Sequence, residues 1–167
     1  SSTYLARAVD APALPELLVV KYRPDKLGEQ LHARTPGGFP SSSHEMNLGP
    51  LLADPAPADH LVRYIEGFST DDGAPYTVTV MAGDTTLKEV LLGVGQAVLL
   101  QKQEPPRVWV RCILYQLLSA LEALQTRLPG GVILLHNDIS AAQVFLQQEY
   151  KEKGGPPLAT LGDFHMG

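Results

Sequence analysis

Apolar and polar positions follow different periods in different parts of this chain, and those periods predict its elements. Tyr76-Thr77-Val78-Thr79-Val80 alternates with period two, the pattern of a strand buried on one face. Leu17 to Val20 is a short continuous apolar run ending in Lys21-Tyr22, and runs of this length between turn signals predict a buried strand. After Glu104-Pro105-Pro106 the apolar positions Val110, Ile113, Leu114, Leu117, Leu118, Leu121 and Leu124 recur at i, i+3, i+4 and i+7. This predicts the longest helix of the chain, with one wide face in the core. Leu128-Pro129-Gly130-Gly131 ends it. Leu87 to Leu100 is also apolar and partly helical, interrupted by Gly93 and Gly95.

Beyond that helix, Val132 to Leu135 form an apolar run that stops abruptly at His136-Asn137-Asp138. A polar turn follows, apolar residues resume at Val144-Phe145-Leu146, and a further acid stands at Asp163. Two carboxylates are thereby expected at the ends of short buried strands. The stretch QQEYKEKGGPP between Leu146 and Leu158 is polar and turn-rich, and predicts a surface loop joining two hairpin strands. Tyr22 to Ser43 is rich in Pro, Gly, Ser and charge, and reads as loop or linker. Ser43 can cap a helix beginning near His44-Glu45, but Gly49-Pro50 must shorten or break it, because proline clashes with the carbonyl four residues back. Another Pro-rich turn, DPAPAD, precedes the segment His60 to Ile65.

Composition narrows the function classes. At 167 residues the chain is the size of one ordinary domain. Thirteen Lys and Arg against 18 Asp and Glu give a formal charge of -5, dispersed along the chain, which argues against a nucleic-acid surface. The single cysteine, Cys112, excludes an intrachain disulfide and a cysteine-rich metal site. No stretch has the length of a membrane span, and the N-terminal SSTYLARAVD lacks the layout of a signal peptide. An intracellular setting, cytoplasmic or nuclear, is the expectation, with no membrane as partner.

The segment from His136 to Gln143, followed by Asp163-Phe164, resembles the protein kinases. Their signature runs His-Arg-Asp-Leu, three residues, Asn, and then Asp-Phe-Gly. His136 falls on the family's His, Asn137 on its Arg, Asp138 on its catalytic Asp and Gln143 on its Asn. Asp163 and Phe164 fall on Asp-Phe, and His165 stands where Gly is expected. Pro106-x-x-Trp109, with HNDIS and LGDF, is further similar to divergent kinase-like proteins of filamentous fungi.

The resemblance implies an α+β fold: a protein-kinase-like small lobe of antiparallel sheet over residues 1–83 including the hinge, then the start of a helical large lobe over 84–167. A kinase domain is longer, so the chain is expected to be truncated at both ends, with the glycine-rich loop before residue 1. Thr3 to Ala8 then resembles the second strand of the small lobe. Leu17 to Lys21 resembles the third, placing Lys21 on the nucleotide's phosphates and Val19 against adenine. Glu45 would meet Lys21 from the short helix. His60 to Ile65 leads to the fourth strand, and Tyr76 to Val80 resembles the fifth. One of Thr79 to Met81 would then guard the adenine site, with backbone groups from Val80 to Gly83 bonding the adenine edge. Phe145 matches the residue beneath adenine. His136 and Phe164 match a stacked spine, which makes His136 a packed core residue rather than a base.

Phosphoryl transfer needs positioning and charge neutralisation more than covalent chemistry. By resemblance, ATP and magnesium are the cofactors, Asp138 orients the acceptor hydroxyl, and Asp163 and Gln143 are the metal ligands. The departures weaken this site. Gln143 carries the family's amide on a stem one methylene longer, and magnesium tolerates little misplacement. Ser140 replaces a Lys that neutralises the transferred phosphate, and His165 replaces a Gly free to adopt positive φ. Asn137 removes the usual Arg partner of a phosphorylated activation loop. Three readings follow: a serine/threonine-type protein kinase of weakened activity, a pseudokinase module that binds protein partners without catalysis, or a small-molecule phosphotransferase of the choline-kinase or aminoglycoside-kinase type.

Overall fold

The computed structural model describes residues 2–9, 17–22, 52, 59–71, 74–93, 107–128, 133–136, 138–147 and 156–162. They fall into two compact units, one drawn from Ser1–Ala56 and Arg63–Met81, the other from Pro57–Val62 and Ala82–Phe164.

The first unit is a four-stranded antiparallel sheet built from β1 (Ser2–Arg7), β2 (Leu17–Tyr22), β3 (Tyr64–Ser69) and β4 (Pro75–Val80), in the order β1-β2-β4-β3. The β-branched residues Val19, Val20, Val78 and Val80 suit the pleated surface, and they concentrate in the two central strands. The register pairs Val19 with Leu5 and Thr79, and Lys21 with Thr3 and Thr77. Between β3 and β4 the register shifts at Tyr64/Glu66, and the Thr70 N–H donates to the Ala74 carbonyl at 3.0 Å where the chain turns back. On one face an aromatic ladder crosses three strands: Tyr22 stacks on Tyr76 with ring centroids 4.8 Å apart, and Phe68 on Tyr76 at 5.2 Å. Such cross-strand pairs fix register as well as adding stability.

The second unit combines a three-stranded sheet with helices. Its strands are β5 (Thr85–Thr86), β6 (Val144–Leu146) and β7 (Ala159–Leu161), in the order β5-β6-β7 and antiparallel throughout. Residues 87–93 are helical (α1), and Arg107–Thr126 forms α2, which packs on β7. The core gathers Leu61, Ile113, Leu124, Leu128, Leu134, Val144, Leu146 and Leu161, with Ala120 and Ala123 letting the helix backbone approach closely. β6 and β7 pair as the expected hairpin, continued by the Gln147 N–H donating to the Leu158 carbonyl at 3.1 Å.

Two expectations are corrected here. The predicted apolar stripe of α2 is buried only in part: Ile113 and Leu124 lie in the core, but Val110 is 46% exposed, Leu114 55% and Leu118 65%. The inward line runs through Ile113, the half-buried Leu117, Ala120 and Leu124, at i, i+4, i+7 and i+11, with the buried Ala123 beside it. The run before His136 is not a strand either. Leu134 and His136 are buried while Ile133 and Leu135 are exposed, so the segment is extended and half-buried, held by the Leu134 N–H donating to the Leu124 carbonyl at 3.0 Å.

The outer side of β7 is closed by unlike partners. Segment 60–62 runs beside Leu161 in parallel: the Leu161 N–H donates to the His60 carbonyl at 2.8 Å, and the Val62 N–H to the Leu161 carbonyl at 2.9 Å. Further back, Gln116 of α2 acts as a surrogate strand. Its side-chain oxygen accepts the Ala159 N–H at 2.7 Å, and its side-chain nitrogen donates to the Pro157 carbonyl at 3.0 Å. One helical side chain thus satisfies a backbone N–H of the wholly buried β7 and a backbone carbonyl just before it. Among the described residues no helix is long and apolar enough to cross a membrane.

Candidate functional site

The loop between His136 and β6 holds the acid that the sequence singles out, and it is fixed from several sides within the second unit. His136 is 3% exposed, and its Nε2 lies 3.0 Å from the Gly162 carbonyl, an acceptor that places the proton on that nitrogen. It is a packed histidine, as expected. The Asp138 N–H turns back to the His136 carbonyl at 2.8 Å, and the Gln143 N–H to the Ser140 carbonyl at 3.0 Å. Gly162 closes the other side by donating its N–H to the Gln143 carbonyl at 3.0 Å. A Cβ at Gly162 would collide with the Val62 side chain and come within 3.0 Å of the Phe145 ring. The residue before Asp163 is therefore held at both its amide and its carbonyl.

Asp138 itself is exposed, and the Gln143 side-chain nitrogen donates to its Oδ2 at 3.3 Å. An ionised carboxylate only accepts, so the amide nitrogen must face it, leaving the amide oxygen for another partner. Ser140 is exposed beside them, and Phe145, on β6 opposite Thr86 and Thr160, is half-buried.

The start of α1 joins this loop. Thr86-Leu87-Lys88-Glu89 forms a capping box: the Glu89 N–H donates to the Thr86 hydroxyl oxygen at 3.2 Å, and the Thr86 N–H to the Glu89 carboxylate at 2.7 Å. The hydroxyls of Thr85 and Thr86 also donate to that carboxylate, each at 3.0 Å. The Lys88 N–H, one of the helix's open donors, is taken by the Ala141 carbonyl at 2.9 Å. The bonds from Thr86 and then Thr85 hold the Glu89 carboxyl below its ordinary value. A depressed carboxylate contributes stability above its unfolded value and loses it as pH falls through the folded one. The stability advantage of the wild type over Glu89→Ala is accordingly expected at neutral pH and should shrink in acid, as read by paired thermal melts.

In the first unit, alternation puts Val19, Lys21 and Thr79 on one face of the sheet, Thr79 directly opposite Val19. Val80, paired with Leu18, belongs to the other face. Of the residues expected to guard an adenine, Thr79 thus shares a face with Val19 and Lys21, and Val80 does not. The N–H of Val80 is committed to the Arg63 carbonyl at 2.9 Å and that of Met81 to the Leu17 carbonyl at 3.2 Å. Donors to a base edge within 80–83 would have to come from Ala82 or Gly83.

The expected Glu45, Asn137, Asp163, Phe164 and His165 lie outside the described residues. The structure brings Asp138 and Gln143 together in one unit, and sets Val19 and Lys21 on one sheet face in the other. Among the described residues no three His, Cys, Asp or Glu side chains gather as a metal site. Of the metal ligands that the resemblance implies, Gln143 can offer a hard amide oxygen of the type magnesium takes, and Asp163 lies outside the described residues. The capping box and Gln116 escaped the sequence reading. Thr-x-x-Glu was a visible signal for the first, whereas nothing local marks the second.

No family model matches this sequence, and no curated protein sequence does. Among solved structures, the crystal structure of the PknI kinase domain of Mycobacterium tuberculosis matches with a TM-score of 0.64 at 17% sequence identity. The match covers 97% of this chain and 53% of that one, so the chain spans about half the length of the kinase domain it resembles. The fold is protein-kinase-like, of the α+β class, with an antiparallel-sheet unit and a unit corresponding to the start of the helical lobe.

Proposed function

We propose that this chain is a kinase-derived domain that binds ATP with magnesium and transfers the γ-phosphate weakly to serine or threonine hydroxyls of a protein. The observation that carries this reading is the exposed Asp138, oriented by the Gln143 amide on a loop fixed at Ala141 and Gln143. An exposed, oriented carboxylate can accept or align the proton of an incoming hydroxyl. Within the first unit, Lys21 would pair with phosphate and Val19 would pack on the base. Asp163 and Gln143 would hold the metal, which when bound supplies charge neutralisation between the phosphates. The Gln143 amide can serve only through its oxygen while its nitrogen stays on Asp138.

A second reading, a pseudokinase that works through protein contacts, is favoured by the same residues. Ser140 offers no positive charge to a transferred phosphate, and the donor side of Gln143 is already engaged. The two readings separate in an assay of ATP-dependent phosphate transfer to serine/threonine peptides. The kinase reading expects slow transfer that falls by roughly 10²-fold or more in Asp138→Asn. Transfer that survives in Asp138→Asn removes the proposed role. Absent transfer from a protein that still binds ATP favours the pseudokinase.

A further inference from the structure

Among the described residues, the loop bearing Asp138 has one backbone tether that comes from a helix start, the bond from the Lys88 N–H to the Ala141 carbonyl. Its geometry depends on where the first turn of α1 points, because a backbone N–H cannot be re-aimed without moving the helix. That first turn lacks intrahelical partners of its own, and it is set by the capping box of Thr86 and Glu89. The Glu89 carboxylate gathers two further bonds to that turn, from the hydroxyls of Thr85 and Thr86. Thr85 and Thr86 are in turn the residues of β5, which pairs with Leu146 and Phe145 just beyond the loop.

The loop is thus held in a closed circuit: β6 to β5, β5 through Glu89 to the start of α1, and α1 through Lys88 back to Ala141. We infer that Glu89 is a positioning residue for Asp138, acting through the Lys88–Ala141 bond and without touching any reacting group. The inference rests on the phosphotransferase reading for its consequence in activity, but the circuit itself is independent of that reading. Glu89 faces solvent, so its removal leaves no cavity, and its effect passes through the turn it organises.

Amide hydrogen exchange on the whole chain, followed by NMR in the wild type, Glu89→Ala and Glu89→Gln, tests the circuit. In Glu89→Ala the Lys88 and Gln143 amides are expected to exchange roughly fivefold faster or more. The Leu134 and Gln147 amides, bonded elsewhere in the unit, should keep wild-type rates and so report that the fold is intact. Glutamine can also fill the third position of a capping box, and Glu89→Gln should recover most of the protection. Faster exchange at Lys88 alone, with Gln143 unchanged, would overturn the inference, since the turn would then loosen without the loop. Equal acceleration at all four amides would overturn it too, by showing a global effect. Where phosphate transfer is measurable, kcat should fall severalfold in Glu89→Ala with the KM for ATP unchanged. Absent transfer in the wild type would count against the phosphotransferase reading and leave the exchange result to decide the circuit.

Discussion

Gln116→Ala should lower the unfolding free energy of the second unit by roughly 2–4 kcal/mol, the sum expected for stranding two buried backbone groups. The Gln116 side chain is the partner of both the Ala159 N–H and the Pro157 carbonyl, and these residues are themselves buried. Alanine removes both hydrogen bonds without shortening the helix, and helix propensity, if anything, favours it. The loss therefore isolates the strand-mimicking role of the amide. Gln116→Glu separates the two bonds: a carboxylate can still accept the Ala159 N–H but repels the Pro157 carbonyl, so part of the loss should remain. Urea denaturation followed through the far-ultraviolet signal reads both variants. A midpoint unchanged by Gln116→Ala would show that β7 does not depend on α2 for its edge.

Gly83→Ala should cost about 2 kcal/mol or more through overpacking. A Cβ at Gly83 would stand 2.5 Å from the Leu146 carbonyl oxygen and 2.7 Å from its carbonyl carbon, distances real Cβ atoms do not adopt. The obstructing atoms are backbone of β6, so no rotamer change relieves them. Relief requires moving β5 from β6, where Thr85 pairs with Leu146. The Gly93→Ala substitution is the natural control, because a Cβ at Gly93 meets nothing within 4 Å. Helix propensity then makes that substitution neutral or stabilising. Thermal melts of the two variants should move in opposite directions or differ by several degrees. Equal melting temperatures would contradict the close approach of Gly83 to β6.

Local pattern made part of this fold legible. The alternation at Tyr76 to Val80 and the apolar run at Leu17 to Val20 correspond to β4 and β2. Their adjacency in the sheet could not be read from pattern, since pairing depends on register between distant segments. The long helix was equally visible, but its buried face only in part. Leucines at Val110-to-Leu118 spacing outweighed two alanines in the count, although close packing against β7 selects the small residues. Gln116 and Gly83 carried no local signal at all. Their roles come from contacts with β7 and β6, made only once the chain has folded.

The candidate site was legible through a resemblance of motifs, and the structure adds what motifs cannot contain. It shows that the long stem of Gln143 reaches the Asp138 carboxylate, and that Gly162 is held by both its polar groups. It also chooses Thr79 over Val80 as the residue sharing a face with Val19 and Lys21.

ATP titration by calorimetry, with and without magnesium, on the wild type and on Lys21→Met and Asp163→Ala tests the proposed function most directly. The account predicts magnesium-dependent binding by the wild type, weakened at least tenfold in both variants. Magnesium-independent binding, or no binding by a folded wild-type chain, would contradict it.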